Sequence, residues 1–217
     1  LPNGNDDVSV RTGDAVLLSD DAFASVLRVD DGSTIFTGGH LMWAIDQAFV
    51  GGTGQGEVVV GGLFGPVAGG TFHGNLLSVA SQGTVRMNGG QASGDEAVVS
   101  FADAELSGTI ATNINTRGLW NPDTQVVDDA VVSIGSGGHL SWNGNITGSG
   151  NLTKTGGGTL LLDGSNGAWM GHLIIDDGTV IVAPGNGLSN QNIVDLRGTN
   201  SVINFVPEAE IFGGLTG

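Results

Sequence analysis

The chain has 217 residues, 40 of them Gly, with no Cys and no Tyr, and its 6 Lys and Arg stand against 22 Asp and Glu for a net charge of −16. Without cysteine there are no disulfides, thiolate nucleophiles or Cys-ligated metal centres, and no run of about 18 apolar residues is present to make a membrane-spanning helix. Six cations cannot neutralise a phosphate backbone, so neither nucleic acid nor an anionic membrane surface is an expected partner.

Glycine is scattered without a three-residue period, which removes collagen, and a hydrophobic content of 39% removes a disordered chain. In chain order, residues 20–27 are the window that admits a short helix. Elsewhere, short β-branched runs bounded by Gly, Asn, Asp and Ser predict strands. These fall at 8–10, 15–18, 26–29, 34–36, 57–60, 76–79, 84–87 and 97–101, then at 130–134, 140–143, 152–154, 159–162, 173–175, 179–182, 193–196 and 202–205. Between them, residues 116–129, with Pro122 inside, read as a polar loop protruding from the body.

Many short strands at even spacing suit a sandwich, a barrel or a solenoid. Two features select the solenoid. Aromatics are sparse, with 8 Phe and 4 Trp, as a narrow core of Val, Ile, Leu and Ala requires. The sequence also echoes itself: GGHLMW at 38–43 returns as GGHLSW at 137–142, and VDDGSTI at 29–35 as IDDGTVI at 175–181. The expected fold is all-β, a right-handed parallel β-helix of roughly 9–10 coils at ~20–25 residues each, forming one unit over residues 1–217.

Residues 146–182 read ITGSGNLTKTGGGTLLLDGSNGAWMGHLIIDDGTVIV. This stretch resembles the autotransporter-associated, or passenger-associated transport, β-strand repeat. Gly148 and Gly150 match its opening, and Leu152 and Lys154 its first strand. Gly156, Gly158, Thr159, Leu160 and Leu162 match the central turn and strand. Gly164, Asn166 and Gly171 match the next turn, and Gly178, Thr179, Val180 and Val182 the closing strand. Trp169 stands where the family usually has Tyr, and His172 with Asp176 and Asp177 departs from the common pattern.

The resemblance implies a passenger segment of a type V secretion system, exported through the periplasm and an outer-membrane barrel of its parent to the bacterial surface or medium. In that setting the repeat would promote folding and secretion. With no signal peptide at Leu1 and no membrane-barrel pattern at the C-terminus, the chain reads as a segment excised from a longer protein, not itself inserted in the membrane. Absence of Cys suits a chain that must stay unfolded in an oxidising compartment before export.

No motif commits the chain to catalysis or to a cofactor. His40, His73, His139 and His172 lack metal-ligand spacing and read as turn-edge residues. The pairs Asp6–Asp7, Asp20–Asp21, Asp30–Asp31, Asp128–Asp129 and Asp176–Asp177 lie outside any calcium-loop motif and suit turns. Asp14, Asp46, Asp103 and Asp163 are isolated acids beside strands, the type a glycoside hydrolase pairs across its substrate. Asn145 and Asn151 open two sequons. Trp43, Trp142 and Trp169 are expected to pack in turns.

The candidate ligand-binding loop holds Arg117, Trp120 and Asp123, since Trp and Arg favour recognition hot spots; Trp120 either meets a partner or folds back over a neighbouring coil. The expected function is a non-catalytic adhesin or self-association scaffold, binding host or neighbouring-cell surface molecules or further copies of itself. The alternatives are a carbohydrate-active enzyme or glycan-binding module on the same scaffold, or a passive stalk for another domain.

Overall fold

Successive side chains of a strand point to opposite faces, so a short run with alternate apolar residues can present one row inward only if something covers that row. Here the cover is the next coil. The computed structural model describes residues 7–11, 13–61, 70–90, 95–184, 187–206 and 213–217. Its strands are, in order, β1 (Val8–Val10), β2 (Ala15–Leu17), β3 (Ala22–Val29), β4 (Ser33–Phe36), β5 (Leu41–Val50), β6 (Gly56–Gly61), β7 (Thr71–Val79) and β8 (Gly83–Asn88). There follow β9 (Ala97–Leu106), β10 (Thr109–Thr112), β11 (Arg117–Trp120), β12 (Asp123–Val126), β13 (Ala130–Ile134), β14 (His139–Trp142), β15 (Ile146–Gly148) and β16 (Leu152–Thr155). The last are β17 (Thr159–Leu162), β18 (Ala168–Trp169), β19 (Leu173–Ile175), β20 (Thr179–Val182), β21 (Ile193–Leu196), β22 (Val202–Phe205) and β23 (Gly214–Thr216).

The strands pair in parallel and alternate between two sheets, one running β1-β3-β5-β7-β9-β11-β14-β17-β20-β22 and the other β2-β4-β6-β8-β10-β13-β16-β19-β21-β23. The result is a β-solenoid of about 9 turns, with no helix among the described residues. Residues 20 to 22 apart are stacked neighbours in the later coils: Arg117 on His139, His139 on Thr159, Thr159 on Thr179. Within the helix window 20–27, residues 22–27 lie in β3 instead, because Ala22, Ala24, Leu27 and Val29 all turn inward.

The cross-section changes along the rod. In β3, β5, β7 and β9 one long strand of 8 to 10 residues bends in place. From β11 onward the bend becomes a corner, and β9 pairs with both β11 and β12. The row β12-β15-β18 then forms a third face. Residues 116–129, expected as a protruding loop, are this corner: Gly118, Trp120, Thr124 and Val126 point inward, and buried Pro122 sits at the bend between the strands.

One core column of the second sheet runs Ile35, Val58, Val85, Ile110, Val132, Lys154, Ile175. Lys154 is thus a lysine in an aliphatic stack, and it is 0% exposed. Its stem fills the column while its ammonium reaches the corner. There it donates to the carbonyls of Thr155 (3.0 Å), Gly156 and Asp177 (3.0 Å), stapling the turn of its own coil to the turn of the next. Gly178, beside it, has φ +77, and a Cβ there would lie 2.5 Å from the carbonyl oxygens of Gly156 and Gly158. A larger residue is barred by conformation and by space.

Burial lowers the Lys154 pKa from 10.5 to about 8, a shift opposed by nearby Asp177, so the ammonium persists at neutral pH with three acceptors for its three protons. Lys154→Met removes the donor from three half-buried carbonyls and is expected to cost about 2–3 kcal/mol, read as a lower denaturation midpoint. Lys154 is the sole lysine, and Tyr and Cys are absent. Between about pH 8 and 10.5 the unfolded chain holds a proton that the folded chain has released, so stability is expected to rise with pH across that window. Denaturant titrations at several pH values should show that rise in the wild type and its loss in Lys154→Met.

Candidate binding surface

Arg117, Trp120 and Asp123 do not form one site. Trp120 is 0% exposed; its Nε1 donates to Thr124 Oγ1 at 2.9 Å and its ring lies 5.8 Å from that of Trp142. Of the two readings of Trp120, packing against a neighbouring coil is the one realised, and the residue is removed from the candidate ligand set. Arg117 lies on the outer face, with Nε 3.4 Å from Glu96 Oε1. Beside it, His139 is held below its usual pKa by burial and by Arg117, against the pull of Glu96. Its Nε2 is 3.3 Å from Ser141 Oγ, a pair that two residues on one face of a strand produce by spacing alone.

Six turn-edge acids and amides have a structural task. Each accepts the backbone N–H of its counterpart one coil later. Asp21 takes Leu41 (2.9 Å) and Asp30 takes Thr53 (3.0 Å). Asp123 takes Asn145 (2.8 Å), and Asn145 takes Ser165 (2.9 Å). Asp129 takes Asn151 (3.3 Å), and Asn151 takes His172 (2.9 Å). Both sequon asparagines are therefore rungs of these ladders. A parallel corner leaves N–H groups without ladder partners, and a short acceptor side chain satisfies them.

Among the described residues, those that could hold a divalent cation are Asp20, Asp21 and His40, whose ligand atoms lie within 4.8 Å of one another. They come from successive coils, so a search for ligand spacing within one motif passes over them. Two of their oxygens are occupied: Asp20 Oδ1 accepts the Asp21 N–H at 2.9 Å, and Asp21 Oδ1 accepts that of Leu41.

Two acids far apart in the chain do meet. Asp103 and Asp123 are register partners on β9 and β12. With Leu76, Glu105, Gln125 and Asn145 they line a groove of about 340 Å³. Asp46 lies elsewhere, accepting the Ser25 hydroxyl. The groove presents carboxylates and amides, able to accept from hydroxyls or to meet a cation.

Upstream on the same sheet, Phe23, Trp43 and His73 are register partners on β3, β5 and β7. Their ring centroids are 5.9 Å and 4.9 Å apart. Trp43 is 37% exposed, whereas Trp120, Trp142 and Trp169 are all buried. Trp43 was expected to pack in a turn; it instead stands outward on a strand, because Met42 and Ala44 take the inward positions. Trp142 and Trp169 are packed as expected, but on strands. No family model, no curated protein and no solved structure matches this chain.

Truncation separates the two kinds of tryptophan. Trp120→Ala empties a closed core position and is expected to cost about 3–5 kcal/mol. Trp43→Ala removes a ring that water already reaches and should cost less than about 1 kcal/mol. Thermal denaturation of the two variants measures the difference.

Proposed function

We propose that this chain is an exported, surface-displayed β-solenoid of the autotransporter-passenger kind, a non-catalytic scaffold for adhesion or self-association. The observation that carries the reading is the Lys154 staple. Several positions by which residues 146–182 resemble the passenger-associated repeat have a mechanical task in closing one coil on the next. Lys154 joins two turns, Gly178 admits the close approach, and Trp169 Nε1 donates to the Gly150 carbonyl at 2.9 Å.

On this reading the C-terminal coils fold first outside the cell and template the rest. A chain of 40 Gly and no Cys passes the outer-membrane barrel unfolded and without cross-links. The surface-bearing N-terminal coils then face host or neighbouring-cell molecules. A second reading, a glycan-binding or glycan-cleaving module, is favoured only by the carboxylates Asp103 and Asp123 sharing one groove.

The test uses the intact parent protein on its own cells. Lys154→Met and Gly178→Val should reduce surface display several-fold, while Trp43→Ala leaves display intact and reduces adhesion or cell aggregation. Undiminished display in both repeat variants would remove the folding role. Release of reducing ends from a polysaccharide, lost in Asp103→Asn, would replace the scaffold reading with an enzymatic one.

A further inference from the structure

We propose that the outward face of β3, β5 and β7 is a docking surface for an arginine-bearing, extended segment of a partner protein. Three rings in register cross this face, with Trp43 the exposed one. The register shift in β5 falls after Ala44 and turns two consecutive residues outward, so Ile45 (40% exposed) and the Asp46 carboxylate flank the rings together. Exposed Asp21 lies near the start of β3. Further along the same sheet lies the groove with Asp103 and Asp123. An aromatic patch rimmed by polar groups on an otherwise Ser-, Thr- and Asn-rich surface marks an interaction site.

The same strands already show the mode of binding on the far side of their bend. The Arg28 guanidinium on β3 lies 4.1 Å from the centroid of Phe49 on β5. Trp binds a cation over its ring better than Phe does, and Trp43 stands on the same strand as Phe49 with a carboxylate three residues away. Charge selects the occupant: a body of net −16 draws cationic partners and repels anionic ones at long range. Arginine is preferred to lysine because one planar guanidinium can stack on a ring and fork onto a carboxylate.

A second copy of this chain does not supply that group. Arg86, Arg117 and Arg197 are paired with Glu57, Glu96 and Asp195, Arg28 covers Phe49, and Arg11 is also engaged. The inference deepens the adhesive reading above by stating the partner's chemistry, and rests on that reading only for where the partner is met.

Trp43, as the exposed tryptophan, is the one that acrylamide can quench in the folded chain. The purified full chain is titrated with an alternating Arg-Ser peptide, with the matched Lys-Ser peptide, and with an uncharged hexose oligomer. Quenching and calorimetry are followed together. The Arg-Ser peptide should shield Trp43 and bind at least about fivefold more tightly than its lysine counterpart. Trp43→Ala should weaken that binding about tenfold at unchanged net charge, and Trp43→Phe less.

His73→Ala leaves Trp43 in place, removes the ring packed edge-on against it, and as a second variant should also weaken the binding. Equal affinity of wild type and Trp43→Ala would mean general attraction to an acidic rod and would overturn the proposal. Shielding of Trp43 by the hexose oligomer but not by the Arg-Ser peptide would overturn it in favour of a carbohydrate surface. Neither outcome bears on display of the parent, so failure here and failure of the secretion reading are separable.

Discussion

The inward side chains of this rod are covered by the coils before and after them, and parallel coil-to-coil hydrogen bonding holds that cover in place. A coil of some twenty residues has two or three short strands and no interior of its own; burial appears only when coils stack. Everything else in the structure serves this stacking. The aliphatic columns supply continuous apolar contact. The acidic and amide ladders satisfy N–H groups at corners where the sheet geometry leaves them. Lys154 does the same for carbonyls, placing the ammonium of the one lysine where two successive turns expose oxygens.

The stacking also explains why the two ends of the chain look different on the outside. Where β3, β5, β7 and β9 bend without breaking, the core at the bend is filled by Ala24, Ala44 and the edge-to-face rings of Phe72 and Phe101, 4.8 Å apart. The outer face there is broad and carries Phe23, Trp43 and His73. Once β11 and β12 separate, the section gains a third face, and Trp120, Trp142 and Trp169 go inside to fill it. Surface chemistry suited to a partner is therefore concentrated in the earlier coils, and regular, self-sufficient packing in the later ones.

Particular residues show how much was legible. The apolar runs from 130 to 205 read correctly because each coil there is short and regular and strand length matches the spacing of Gly and Asn. The corner at 116–129 did not, because Pro122 and the polar residues around it look like a loop when the stacked neighbours Asn143 and Gly144 are out of view. The echo of GGHLMW by GGHLSW suggested equivalent positions. In the fold Trp142 stacks in register beneath Trp120, in the inward column to which Met42 belongs, while Trp43 points outward. Side-chain period in a strand is two, so a shift of one residue exchanges core for surface. The meeting of Asp103 with Asp123, and of Asp20 and Asp21 with His40, depends on coil length, which no local motif encodes.

By itself the sequence determined the class of structure: glycine-punctuated, β-branched runs with a single short helical window bury their apolar residues as stacked strands. It also placed Lys154 and the surrounding glycines at the matched positions of the stretch that resembles the passenger-associated repeat. Only the tertiary structure decided which rings are core and which are surface, and which carboxylates share a groove. The physical reason is that strand periodicity is local, whereas facing direction and neighbour identity are set by the coil above and the coil below, some twenty residues away in either direction.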